Sequence, residues 1–186
     1  MLDTSKIPLT GASFTWFIAG GWAIDLFLGR HTRHHTDLDL GIFRDDQLAL
    51  QDFLSGWSLL KIVNGENVQW CRGEQLSLPV HEIHANASSG DTVEILLAEK
   101  SESRWIYRRD PTITLPISSA VLTIENGICI LAPEIVLLFK SKNPREQDQA
   151  DFENVRTHLS LGQKQWLHDA IDRTNKTHSW MAKLTS

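Results

Sequence analysis

The sequence predicts an α+β fold, with a mixed sheet first and helices last. Residues 14–97 contain a series of short runs rich in β-branched, aromatic and aliphatic residues, punctuated by Gly, Asn and Pro. After Asn126-Gly127 the pattern changes to apolar residues at helical spacing. The chain has 186 residues, 41% hydrophobic and 22% charged, an ordinary globular composition that can bury a core without disulfides. The expected organisation is an α/β core over residues 1–126 and a helical C-terminal subdomain over residues 127–186. No internal repeat or low-complexity segment interrupts it.

Residues 14–19 (FTWFIA) form the first expected strand, and Gly20-Gly21 the turn that ends it. Residues 22–28 place Ala23, Ile24, Phe27 and Leu28 at helical spacing, and Gly29 is positioned to stop that helix. Residues 30–36 are a loop rich in Arg and His. Residues 37–43 (DLDLGIF) alternate acid and Leu and read as a strand. Arg44, Asp45 and Asp46 cap a helix over residues 47–54. A strand at 57–63 meets the hairpin turn Asn64-Gly65. Further strands are expected at 68–72, 78–84 and 92–97. Residues 105–115 read as extended, interrupted by Pro111. Pro133 opens a helix that runs to about residue 142, and two more are expected at 147–158 and 164–173.

Bulk properties narrow the partners. A net charge of −5 gives no overall attraction for nucleic acid or anionic membrane, and no long Lys/Arg run supplies a local one. No apolar run approaches the ~20 residues of a membrane span, and the first residues lack the hydrophobic centre of a signal peptide. Cys71 and Cys129 make neither a disulfide framework nor a zinc knuckle. A reducing cytoplasm is expected, with both as small core hydrophobes. The seven Trp residues read as core packing, with a few available to line a substrate cleft.

The chemistry starts with Asp37 and Asp39. Residues i and i+2 of a strand share a face about 6.5–7 Å apart, so two carboxylates there can converge on one cation. Magnesium suits them, because it takes hard oxygen ligands and bridges carboxylates to substrate phosphates. A solvated strand face is the plain alternative. Gly20 and Gly21 let backbone N–H groups approach a ligand, and the helix that follows adds a phosphate-binding N-terminus. By themselves they also read as a tight strand-to-helix turn. Arg33 and His35, with Arg30, His31 and His34, can neutralise phosphate or orient a carboxylate. Zinc is disfavoured because adjacent His34 and His35 diverge and no Cys is near. A third acid is expected on a neighbouring strand, Glu94 in TVEILL ahead of Glu82 in VHEIH. Lys140 can reach a triphosphate or simply complement its helix C-terminus.

Together, G-G-W-A-x-D, L-G-R-x-T-R-x-H and D-x-D-L resemble the aminoglycoside 2''- and lincosamide nucleotidyltransferases of the DNA polymerase β-like superfamily. The residues are Gly20, Gly21, Trp22, Ala23, Asp25, Leu28, Gly29, Arg30, Thr32, Arg33, His35, Asp37, Asp39 and Leu40. Residues 105–117 and the LAPEIVLLFK and REQDQADF segments resemble the later part of such enzymes more loosely. The resemblance implies a polymerase β-like mixed sheet and transfer of a nucleoside monophosphate, most simply AMP from ATP, to a small-molecule hydroxyl. Aminoglycosides and lincosamides are the suggested acceptors. It further implies that Asp37 and Asp39 ligate Mg²⁺ and triphosphate, and that Gly20 and Gly21 cradle phosphates. Glu94 would help hold the metal or deprotonate the acceptor, and Lys140 would contact the nucleotide phosphates. Trp22 stands where many superfamily members place a serine, which leaves more of the phosphate binding to backbone donors.

Alternatives remain open at this level. D-x-D also occurs in metal-dependent glycosyltransferases, although the preceding Gly-Gly helix entry argues against one. A toxin-like nucleotidyltransferase acting on RNA or protein, or an inactive nucleotide-binding module, would share the fold. A homodimer partner that completes the acceptor pocket is also compatible.

Overall fold

The computed structural model describes residues 7–185. The expected α+β class holds. The chain divides into two compact units that interleave in sequence. One comprises the described residues up to Ile18 together with Thr36–Pro116. The other comprises Ala19–His35 and the described residues from Ile117 onward. The expected helical part, 127–186, therefore falls in a unit that also takes in residues 19–35.

The first unit is built on a sheet. Its strands are β1 (Trp16–Ile18), β2 (Asp39–Phe43), β3 (Ser58–Val63), β4 (Glu66–Gln69), β5 (Glu82–Asn86) and β6 (Thr92–Ser101). The spatial order is β4-β3-β5-β6-β2-β1. Every pair is antiparallel except β2 with β6, which run parallel. β7 (Arg104–Ile106) pairs with the end of β6 and with β8 (Thr114–Pro116). Helix α1 (Gly20–Leu28) belongs to the second unit; this unit contributes α2 (Gln47–Phe53), entered through a 3₁₀ turn at Arg44–Asp46.

Strand alternation gives the sheet two faces. Leu40 on β2 registers with Ile95 on β6, and Ile95 with Ile83 on β5. All three are completely buried, each stabilising the fold by about 1.5–3 kcal/mol relative to exposure. The other face carries Asp39, Glu94 and His84, also in register across the same three strands. Gly41 sits next on that face, where the ring of Phe17 lies directly on it; a methyl group there would come within 2.6 Å of Phe17 Cζ.

Several boundaries differ from the sequence expectation. β2 begins at Asp39, not at residue 37. β4 spans Glu66–Gln69, earlier than expected, because the two-residue turn at Asn64 (φ 52°) and Gly65 (φ 84°) returns the chain at once. β5 starts at Glu82, beyond Pro79, which has no N–H to give a ladder. Cys71 is exposed, in the turn closed by Glu74 N–H donating to its carbonyl, and Cys129 is half-buried. Neither is the core hydrophobe that was expected.

The second unit is mainly helical. Its helices are α1 (Gly20–Leu28), α3 (Ile117–Ala120), α4 (Pro133–Lys140), α5 (Glu146–Val155), α6 (Leu161–Thr174) and α7 (Met181–Leu184). A hairpin of β9 (Val121–Thr123) and β10 (Cys129–Leu131), absent from the sequence expectation, precedes α4. α4 is buried from Pro133 to Leu138 and packs against α1, α5 and α6. Ser160 caps α6, its hydroxyl accepting from Gln163 N–H while Gln163 reaches back to Ser160 N–H. Phe152 on α5 stacks on Trp180 at 4.2 Å, and Trp180 Nε1–H donates to Gln149 at 2.6 Å. Among the described residues no helix is long and apolar enough to cross a membrane.

Candidate active site

The sheet unit gathers carboxylates on one face. Asp39 opens β2 and registers with Glu94 on the parallel neighbour β6, placing the two backbones about 4.8 Å apart. Glu94 registers in turn with His84 on β5. His84 Nε2 lies 2.9 Å from Glu82 Oε1 and 4.0 Å from Glu94 Oε1. Asp37 lies two residues ahead of β2, exposed, accepting a hydrogen bond from Thr36 Oγ1 at 2.7 Å. Both expected third acids therefore share a face with Asp39, but only Glu94 is its direct neighbour. Glu82 stands one row further, opposite Leu96, which is itself opposite Gly41.

The electrostatics match this crowding. Burial pushes the Glu94 carboxyl above the usual glutamate range, and the charges of Asp39, Glu82 and Asp37 push it further, with His84 opposing them. A set of mutually repelling carboxylate oxygens is the donor chemistry of a hard divalent cation, which would relieve the repulsion. Such a donor set fits a divalent cation. The ligand atoms of Glu82, His84 and Glu94 lie within 4.8 Å of one another.

In the helical unit the glycine pair takes a different form from a simple turn. Both glycines belong to the first turn of α1. Gly20 has φ 58°, a left-handed backbone that L side chains rarely adopt. Gly21 is required by contact, since a methyl group there would overlap Arg33 Nη2 and lie 2.5 Å from His35 Nδ1. Ala19 precedes them without a side-chain cap, so no side chain of the capping residue covers this helix start. Gly29, at φ 64°, ends α1 in the expected left-handed cap.

Arg33 and His35 are held by carboxylates. Arg33 grips Asp151 in a bidentate pair, Nε to Oδ1 at 2.9 Å and Nη2 to Oδ2 at 3.0 Å. His35 Nε2 lies 2.6 Å from Asp25 Oδ2, with its side chain only 3% exposed. Thr32 also donates to Asp25, from N–H at 3.2 Å and from its hydroxyl. Burial raises the Asp25 carboxyl, but the bonds from Thr32 and His35 outweigh it and hold the group below the usual range. His34 is exposed and points elsewhere, as expected of adjacent histidines. His31 instead converges on Asp25, its Nε2 3.9 Å from Oδ2, and both imidazoles pack against Trp22. The ligand atoms of Asp25, His31 and His35 lie within 4.8 Å of one another, while Thr32 donates to the same Asp25 carboxylate.

Lys140 ends α4 between two buried acids, 2.6 Å from Asp148 Oδ1 and 3.0 Å from Asp151 Oδ2. Arg145 closes the cluster onto Asp148 at 2.9 Å. Burial raises Asp148, yet Arg145 and Lys140 hold it at about 2. Arg33, Lys140 and Arg145 thus converge on two buried carboxylates, and Asp25 also acts on Arg33. No local pattern gives Asp25, Asp148 or Asp151 a role. Their partners lie as far as 118 positions away, beyond any local pattern.

Comparisons with known proteins agree with this architecture. The profile of the aminoglycoside-2''-adenylyltransferase family matches residues 7–155. No curated protein matches the sequence. Among solved structures, the antibiotic-resistance factor ANT(2'')-Ia in solution superposes with a TM-score of 0.61 at 15% identity, over 91% of this chain and 88% of that one. ANT(2'')-Ia in complex with adenylyl-2''-tobramycin gives 0.59 at 12% identity, over 90% and 92%. The lincosamide antibiotic adenylyltransferase LnuA, lincomycin-bound, gives 0.56 at 18% identity, over 81% and 91%. At these identities the superpositions establish a shared fold.

Proposed function

This chain belongs to the aminoglycoside-2''-adenylyltransferase family and is a nucleotidyltransferase; from that premise we propose that it transfers AMP from Mg-ATP to a hydroxyl of an aminoglycoside or lincosamide antibiotic. The observation that carries the reading is the in-register pairing of Asp39 with Glu94, whose carboxyl is pushed up by burial and by its acidic neighbours. Such a pair is unfavourable unless the site serves a cation or a proton transfer.

Asp37, Asp39 and Glu94 would hold the divalent metal. When bound, the metal supplies charge neutralisation for the triphosphate and the leaving pyrophosphate. Glu94, its carboxyl pushed up by burial and by its acidic neighbours, would either help hold that metal or accept the proton of the acceptor hydroxyl. The freed oxygen attacks the α-phosphorus, the bond from that phosphorus to the oxygen of the β-phosphate breaks, and pyrophosphate leaves with the electron pair. Gly20 and Gly21 would present the backbone N–H groups of a helix start to phosphate. Lys140 would contact the nucleotide phosphates and Arg33 would help neutralise them, each from a pairing with Asp151. The acidic face bearing Asp39, Glu82 and Glu94 would suit a polycationic acceptor.

The test has two parts. Thermal stability with ATP and Mg²⁺, separately and together, reads donor binding, since a ligand selective for the folded state raises its melting temperature. Pyrophosphate release over a panel of aminoglycosides, lincosamides and tRNA reads transfer. Release with an antibiotic supports the proposal. Release with tRNA alone assigns a different acceptor, and no release with any acceptor rejects the small-molecule reading.

A further inference from the structure

Three metal-ligating side chains of the helical unit meet where α1 gives way to the loop that follows it. Asp25, 4% exposed on α1, lies beside His35, whose Nε2 is 2.6 Å from its Oδ2. His31 Nε2 is 3.9 Å from the same oxygen. One donor atom from each of the three falls within 4.8 Å of the others. The indole of Trp22 backs both imidazoles, stacked on His31 at 5.4 Å and tilted against His35 at 4.5 Å. Gly21 admits the His35 ring, since a methyl group there would lie 2.5 Å from its Nδ1. Thr32 orients the carboxylate, its hydroxyl donating to Oδ1 and its N–H to Oδ2 at 3.2 Å.

We propose that Asp25, His31 and His35 form a binding site for a divalent cation of the zinc class, built from none of the residues on the acidic face of the sheet unit. Two imidazole nitrogens and one carboxylate oxygen are the donor set of zinc and cobalt, whereas magnesium takes oxygen ligands. Bonds of about 2.0–2.2 Å place the donor atoms around a tetrahedral ion about 3.4 Å apart. The separations of 2.6 and 3.9 Å bracket that value. His31, 46% exposed, supplies the adjustment by turning its ring inward. His35 gives up its short contact with Asp25 to the ion, and Thr32 keeps the carboxylate aimed, as partners outside the coordination sphere do for metal ligands. The second imidazole is not the adjacent His34, which is exposed and outside the cluster, but His31, four residues ahead of His35. Three protein ligands leave a fourth position for water, the arrangement of an exchangeable ion and not of a closed structural one. The inference is independent of the proposed reaction, because all three ligands lie within residues 25–35.

The experiment uses the full chain without an affinity tag, stripped of metal and kept in excess Mg²⁺ to fill oxygen-only sites. Zn²⁺ titration in competition with a chromophoric chelator counts the sites and their affinity. Melting with and without Zn²⁺ reports whether the ion selects the folded state. The wild type is expected to take up Zn²⁺ and to melt higher with it. His31→Ala is expected to fold, to lose one site and to lose that rise in melting temperature. His34→Ala and His84→Ala should keep both. Circular dichroism of the metal-free variants checks folding, and His31→Gln, which keeps a side chain beside Trp22, replaces His31→Ala if the latter does not fold. No Zn²⁺ uptake by the wild type, or an unchanged site count and affinity in the folded His31 variant, overturns the proposal. Loss of the site in His84→Ala in place of the His31 variant assigns the ion to Glu82, His84 and Glu94 and overturns it equally.

Discussion

Replacing Glu94 by Gln should make this protein more stable and nearly inactive. Glu94 and Asp39 are in-register neighbours on parallel strands, about 4.8 Å apart in backbone. Two like unit charges at about 5 Å repel by about 0.8 kcal/mol at the dielectric of water and about 3 kcal/mol at an effective value of 20. The Glu94 side chain is 35% exposed, so solvent screens the pair toward the lower figure, about 1 kcal/mol. Removing one charge while keeping the side-chain shape should raise the melting temperature by about 2–4 °C at pH 7. The sign with pH follows from the direction of the shift. A carboxyl raised above its ordinary value of 4.5 destabilises the folded state only where it is ionised, so the advantage of the variant must vanish as pH falls below that value. Losing the proposed general base should lower turnover by about 10²- to 10⁴-fold. Melting curves at pH 7 and pH 4, with pyrophosphate release beside them, measure both effects. A lower melting temperature at pH 7, or turnover equal to wild type, refutes the reasoning.

Two further perturbations probe other parts of the structure. Asp148, held at about 2 against an ordinary 3.8, contributes about 2 kcal/mol that is present above about pH 4 and lost as pH falls toward 2. Urea melts of Asp148→Asn should show lower stability at pH 7 and a flatter acid limb than wild type. Gly41→Ala would drive a methyl group into the ring of Phe17, so denaturant melts should show a loss of about 1–3 kcal/mol from overpacking.

Much of the proposed donor side is legible in the sequence because its determinants are local. A helix that ends at Gly29 needs only a run of apolar spacing and a residue able to adopt φ 64°. The Asp37–Asp39 spacing is equally local, although the ladder forms only from Asp39. The preference for Glu94 over Glu82 rested on its apolar flanks; the register adds what spacing could not, the strand on which each acid stands relative to Asp39. β4 was displaced because all four of its residues are exposed, so burial leaves no alternation to read. The start of α6 was placed late even though Ser160 and Gln163 spell a capping box three residues apart. Arg33, His35 and Lys140 were recognised as cations near the chemistry, but their partners Asp25, Asp148 and Asp151 come from helices brought together only by folding.

The most direct test of the account is the mass of the acceptor after incubation with Mg-ATP and enzyme, read for wild type and for Asp39→Asn. The account predicts that an aminoglycoside or lincosamide gains one adenylate, with one pyrophosphate released per product, and that Asp39→Asn forms neither. Adenylated product at the wild-type rate from Asp39→Asn would contradict it.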